Sequence, residues 1–288
     1  MTRVSAVIPV HNTEAFIAEA VSSVLTQTHP DVEVIVVDNN STDRTPQILA
    51  DYGPRIRVHR ETRPGVAFAR NAGAALATGE WIAFLDADDV WLPHKVAAQL
   101  AHDGAAWSYT NRYNFGARGP LPEVQSDVTP MMGGDVFVPL MRQGNFITMS
   151  SVMMRRALFE RLGGFFPVKG GCEDWDLLLR AAEAHDVAYV PEPLTRYRVH
   201  ANSYSSNHRA MAPARAAVIE RALARERGRL LPWWLRRQIW AETHRTNGWD
   251  AGRAGARLEA LAGYARAAAA WPLGLQPYKE ALKVCLHA

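Results

Sequence analysis

The sequence predicts an α/β fold, a mostly parallel central sheet flanked by helices, with a helical carboxy-terminal extension. Three observations carry this reading. Over the first hundred residues, short apolar runs alternate with helical patterns, the order that builds parallel strands joined by right-handed crossovers. The run VEVIVVD, Val32 to Asp38, is almost continuously apolar, as a strand buried on both faces must be. From Pro213 onward, Ala, Leu and Arg recur at helical spacing.

The elements follow in order. VSAVIPV, Val4 to Val10, is the first strand. Asn12 or Thr13 can cap a helix from Glu14 to Thr26. The second strand is Val32 to Asp38, and a helix from Asp43 to Tyr52 follows. IRVHRE, Ile56 to Glu61, then a helix from Gly65 to Ala77, then WIAFLD complete the alternation. AAWSYTNRYNF and ITMSSVMMRR read as further strands, with a Pro/Gly-rich loop over 116–130 between them. CEDWDLLLRAAEAH starts acidic and continues apolar at helical spacing, so a helix begins near Cys172. VAYVP and LTRYRVH are two short strand-like pieces. Three or four helices follow Pro213, with breaks near Pro232, Gly248 and Pro272. The domain division expected is 1–210 and 211–288.

Composition narrows the function. The 288 residues are 48% hydrophobic and 21% charged, ordinary for a globular chain. No stretch of about 18 uninterrupted apolar residues occurs, so no membrane span is expected. The start, MTRVSAVIPVHN, reads as a strand rather than a signal peptide. Two widely separated cysteines, Cys172 and Cys285, make no metal-ligand spacing and suit a reducing cytoplasm. Charge is uneven: residues 1–200 hold 18 Lys and Arg against 23 Asp and Glu, whereas residues 201–288 hold 14 against 6.

In parallel sheets, ligands bind beyond the carboxyl ends of the strands. That edge gathers His11 and Asn12, the DNNSTD stretch from Asp38 to Asp43, and the DADD stretch from Asp86 to Asp89. Three acids with no Lys or Arg among them are unfavourable unless a cation arrives. Asp86 and Asp88, two apart, lie on one side of an extended strand end. They can divide the work between a divalent cation and sugar hydroxyls. Asp38, ending the second strand, stands where a dinucleotide fold holds a ribose. A nicotinamide enzyme is disfavoured, because IPVHNTEAF has no glycine-rich turn after the first strand.

The motifs IPVHN (8–12), VVDNNSTD (36–43), ARNAG (69–73), FLDADD (84–89), CEDWDLLLR (172–180) and YRVHANS (197–203) resemble, in order and spacing, a family 2 glycosyltransferase of the GT-A fold. The resemblance covers roughly residues 1–210 and implies a metal-dependent, inverting transfer of a hexosyl or N-acetylhexosaminyl group from a UDP-sugar to a hydroxyl acceptor, sugar or lipid-linked. It implies Mn2+ or Mg2+ as cofactor. Pro9 and His11 would line the base pocket. Asp38 would meet the uracil or ribose, Arg70 the base or phosphates, and Asp86 the ribose or sugar. Asp88 would ligate the metal, with His200 as second ligand or diphosphate contact. Asp174 would be the general base. Glu173, Trp175 and Arg198 would contact acceptor or sugar, and Arg196 or Arg198 could pair phosphate. One departure is His11, where the family often has an aromatic.

Two rivals stand beside that reading. A sugar nucleotidyltransferase would want a Gly-rich loop with Arg and Lys after the first strand, which this sequence lacks. A nucleotide-sugar-binding protein without catalysis would not need DADD, EDWD and YRVH together. The basic segment PWWLRRQIW, Pro232 to Trp240, fits a peripheral contact with the inner face of a membrane, a lipid-linked acceptor, packing on the catalytic domain, or a homodimer through the carboxy-terminal helices. Nucleic acid is not an expected partner, since no recognition motif accompanies the charge.

Overall fold

The structure, a computed structural model, describes residues 1–102, 104–116, 124–200 and 207–286. Its strands are β1 (Val4–Val10), β2 (Val32–Asp38), β3 (Arg57–Arg60), β4 (Trp81–Phe84), β5 (Val90–Trp91), β6 (Trp107–Phe115), β7 (Val152–Arg155) and β8 (Ala188–Arg198). The helices between them are α1 (Ile17–Leu25), α2 (Thr45–Ala50), α3 (Val66–Leu76), α4 (Lys95–Leu100), α5 (Phe137–Gln143), α6 (Arg156–Arg161) and α7 (Glu173–Ala184). Five more follow: α8 (His208–Ala224), α9 (Glu226–Arg229), α10 (Trp233–Arg253), α11 (Arg257–Ala270) and α12 (Gln276–Leu286).

The chain groups into two compact units. One comprises Met1–Val136, Phe146–Pro167 and Ala184–Ala201; the other comprises Phe137–Asn145, Val168–Glu183 and Asn202–Ala288. α5 and most of α7 therefore belong with the later helices, a grouping that a single cut along the sequence at residue 210 does not express.

The first unit is built on one mixed sheet in the order β3-β2-β1-β4-β7-β6-β8-β5. β1, β2, β3 and β4 pair in parallel, and β7 reverses the direction on both of its edges. Strand order turns at β1 and β4, so the crevice for a ligand opens there. β1 and β2 are buried throughout most of their length because α1 and α3 cover them. α3 approaches so closely that a Cβ on Gly73 would stand 2.4 Å from Val7 Cγ1. Only glycine at that point of ARNAG lets the helix lie there.

Pro9 sits inside β1 without breaking the ladder. Leu85 N donates to Val7 O, so Val7 and, two residues on, Pro9 turn towards β4. β4 pairs β1 only as far as Val7, so the N–H that Pro9 lacks falls just past the paired residues, where the ladder loses least.

Several expectations need correction. α1 begins at Ile17, and neither Asn12 nor Thr13 caps it. Asn12 instead takes a left-handed conformation and accepts from Thr42 N, while Thr13 N donates to Thr45 Oγ1. VAYVP and LTRYRVH form one strand, β8. Its Pro193 faces Asn111, where the β6 register shifts, and a bulge tolerates the missing donor. In the expected loop over 116–130, residues 117–123 lie outside the described residues, and Gln125–Asp127 form a 3-10 turn.

The second unit is helical. α10 runs through Gly248 rather than breaking there. Gly263 of α11 crosses at that point, and a Cβ on it would meet Gly248 Cα at 2.6 Å. The glycine serves helix contact, with Ala251, Ala260 and Tyr264 buried alongside. Breaks do fall at Pro232 and after Ala270. Among the described residues, no helix is long and apolar enough to cross a membrane.

Candidate active site at the carboxyl ends of the parallel strands

The loops after β1 and β2 interlock. His11 Nδ1 lies 2.7 Å from Asn39 O; a carbonyl only accepts, so that nitrogen carries the proton and Nε2 accepts from Asn12 Nδ2. Asp38 is buried and accepts from Ser41 N. Asn39 ties the cluster to the β3 loop, donating to Glu61 O and Arg63 O and accepting from Gly65 N. His11 and Asp38 thus stand on adjacent strand ends, with Pro9 buried just before them.

DADD follows β4, and its three carboxylates turn to three different partners. Asp86 Oδ1 is 2.6 Å from Arg70 Nη2. Arg70 is buried on α3, with its guanidinium 5.2 Å from the Phe165 ring, so it is not a solvated helix arginine. Asn71 next to it holds Phe165 by both backbone groups. Asp88 Oδ2 lies 2.9 Å from His200 Nε2. Asp89 is fully buried, accepting from Ser150 Oγ at 2.5 Å and from Arg198 N at 2.8 Å.

Electrostatics follows from that division. Burial pushes the Asp88 carboxyl above the usual range; Asp86 adds like charge, and the hydrogen bond from His200 partly opposes the rise. Burial pushes Asp89 well up, reinforced by Asp88 and Asp86.

Arg198 has work other than a sugar contact. Its Nε donates to Asp88 O at 2.8 Å, its Nη2 pairs with Glu19, and its guanidinium stacks 4.6 Å from the Phe16 ring. Arg198 thus clamps the DADD loop to β8 and α1, and His200, two residues on, faces Asp88. Arg196 lies 4.0 Å from Glu19 and over the Phe115 ring. Sequence reading assigns no role to Ser150 or Glu19, which no local pattern marks, and places Asp89 and Asn71 within DADD and ARNAG without a role of their own; their partners lie far away in the chain.

The residues present fit a divalent cation in a limited way. Among the described residues, no group of three His, Cys, Asp or Glu side chains could hold a metal. Asp88 and His200 supply one carboxylate and one imidazole, a donor pair that suits Mn2+ when phosphate oxygens and water complete the shell.

The second unit holds the other acidic cluster. Asp174, in the first turn of α7, accepts from Asn145 Nδ2 at 3.0 Å and from Trp175 N. Trp175 is buried, and its indole donates to Leu140 O; the ring anchors α7 to α5 and is not open to stack on a sugar. Glu173 is buried beside it, and Asp176 pairs with Arg180 and Arg221. Cys172 is buried, and burial with Asp174 nearby pushes its thiol up to about 12. That makes it a packed cysteine rather than a nucleophile.

Comparison with known proteins bears on this geometry. The family model described as glycosyl transferase family 2 matches residues 5–163. An uncharacterized glycosyltransferase of Rickettsia conorii, RC0461, is 31% identical over 205 residues, 69% of this chain but only 33% of that relative. S. aureus TarS 1–349, solved in complex with UDP-GlcNAc, superposes with a TM-score of 0.67 at 19% identity, covering 93% of this chain and 81% of that one. The mannosyltransferase PcManGT of Pyrobaculum calidifontis, solved with GDP-Man and Mn2+, gives a TM-score of 0.65 at 24% identity, covering 100% and 80%. At these identities the two structures establish the fold alone, which is GT-A. The match to the family model spans more than half of the sequence, and the chain belongs to glycosyl transferase family 2.

Proposed function

We propose that the protein is a metal-dependent, inverting glycosyltransferase. It moves a hexosyl or N-acetylhexosaminyl group from a nucleoside-diphosphate sugar, UDP-linked by preference, to an acceptor hydroxyl in glycan or glycoconjugate synthesis. The observation that carries this reading is the pairing of Asp88 with His200 beside Asp86 and Arg70, at the carboxyl ends of parallel strands. The binding of UDP-GlcNAc by TarS, and of GDP-Man with Mn2+ by PcManGT, supports a nucleotide-sugar donor. Two free cysteines suit a cytoplasmic setting.

Asp38 and His11 hold the nucleoside end, and Arg70 fixes Asp86 where it meets the ribose or sugar. Asp88 and His200 would hold Mn2+ or Mg2+, which would supply positive charge for the diphosphate when bound. Asp174 takes the proton of the acceptor hydroxyl as that oxygen bonds to the anomeric carbon. The bond from that carbon to the diphosphate breaks on the opposite face, its electron pair leaving with the diphosphate, and configuration inverts.

The test is a thermal-shift screen across UDP-, GDP- and dTDP-sugars with Mn2+, repeated in EDTA. A donor at a hundredfold its Kd stabilises the folded state by about 2.7 kcal/mol, and chelation should erase the rise. The Asp174→Asn variant should keep the shift and lose transfer. An equal shift in EDTA would remove the metal from the mechanism, and full transfer by Asp174→Asn would remove the base.

A further inference from the structure

The helical unit leaves a compact apolar and basic end uncovered. Trp233 is 69% exposed and Leu230 is 80% exposed, with Trp234, Leu273 and Leu275 also exposed. Hydrogen bonds place part of this end. Arg237 donates to Ala270 O at 2.7 Å and to Ala269 O at 2.9 Å, closing the carboxyl end of α11. Trp233 lies four residues before Arg237 on α10, hence on the same face one turn nearer the helix start. That places its indole beyond the end of α11, where the chain continues through Leu273 and Leu275. Tyr278 closes the same end, its hydroxyl donating to Pro272 O at 3.3 Å.

Charge accompanies the patch. Residues 226–237 and 266–280 carry Arg227, Arg229, Arg236, Arg237, Arg266 and Lys279 against two acids, Glu226 and Glu280. Adjacent indoles flanked by arginines are the composition of a bilayer interface, where rings sit at headgroup depth and guanidinium groups meet lipid phosphates. Packing on the rest of the chain, the plainer fate for these tryptophans, is not what Trp233 and Trp234 show, since both remain open to solvent. We infer that this end of the helical unit docks on an anionic lipid surface, inserting Leu230, Trp233 and Trp234 while Arg229 and Arg236 bind headgroups. Without a spanning helix among the described residues, the attachment is peripheral and reversible.

The experiment is co-sedimentation of the full chain with two sets of vesicles. One is pure phosphatidylcholine; the other is equal parts phosphatidylcholine and phosphatidylglycerol. Binding is expected to the second, with a blue shift of tryptophan emission, and should weaken as salt screens the arginines. Trp233→Ala should lower the partition constant about tenfold, the loss of one buried ring. Leu230→Ser, at an exposed position that leaves folding intact, should lower it as well. Neither residue belongs to the donor site, so donor-induced thermal shifts should be unchanged, which separates this inference from the catalytic one. No binding to the anionic vesicles, or binding indifferent to both substitutions, would overturn it. So would dimerisation in light scattering that either substitution abolishes, because a second copy would then own the patch.

Discussion

Asp86 and Asp88 stand two residues apart in one motif, yet their removal should have very unequal consequences for the fold. Asp86 is the partner, at 2.6 Å, of an arginine whose side chain is 5% exposed, while its own side chain is 29% exposed. Stripping the partner from a buried charge costs ~3–5 kcal/mol. Water reaching Asp86 screens part of that, so Asp86→Ala should lose about 2–4 kcal/mol. Asp88 faces His200, with both side chains about a quarter to a third open, and it sits beside like charge. Asp88→Ala should therefore stay within ~1 kcal/mol of the parent.

Urea unfolding without metal reads the difference. Trp81, Trp91 and Trp107 are buried in the sheet unit and report its transition by fluorescence. A loss of that size moves the midpoint down by ~1 M or more, and Asp88→Ala should overlay the parent. Adding Arg70→Met to Asp86→Ala should recover part of the loss, because the buried charge that Asp86 balanced goes with it. Equal destabilisation by the two single variants, or no recovery in the double one, would refute this reasoning.

Two other expectations follow from buried groups. Lys95 is fully buried, hydrogen-bonded to Gln99 Oε1 at 2.7 Å and 4.0 Å from the Trp91 ring centre, with no carboxylate paired to it among the described residues. Burial holds its ammonium well below the usual lysine range. The folded state therefore takes up that proton less readily than the unfolded chain, so stability drains away as pH falls below the unfolded value, by ~1.4 kcal/mol per pH unit until the folded value is reached. Lys95→Met should abolish this slope and gain most against the parent at the acid end of the window; chemical unfolding from pH 6 to 10 with a constant difference would contradict it. Gly263→Ala should destabilise the helical unit although alanine favours a helix by ~1 kcal/mol, because its Cβ would meet Gly248 backbone at 2.6 Å. A raised melting temperature would show that α10 and α11 can part without cost.

What the sequence exposes and what it conceals divides along range. Apolar runs that stop at polar clusters mark β1, β2 and β4 and the edge where their loops gather, because burial on both faces writes itself into consecutive residues. Propensity misleads where tertiary contact decides. Gly248 reads as a helix break but is the crossing point of two helices. Pro191 and Pro193 split β8 on paper, while a bulge carries the strand past them. Trp175 reads as an aromatic free to stack and is spent on packing. DADD holds the sharpest case. Spacing makes Asp86 and Asp88 a matched pair and gives Asp89 no role of its own. The fold gives the first to an arginine sixteen residues back, the second to a histidine 112 residues on, and the third to Ser150 and the backbone of Arg198. Three carboxylates can share four residues because each is answered by a different protein group. The one opposite His200 keeps a proton affinity raised by burial and by the neighbouring Asp86. Periodicity has no means to make that assignment, because none of the partners lies within a helical turn or a strand repeat of the motif.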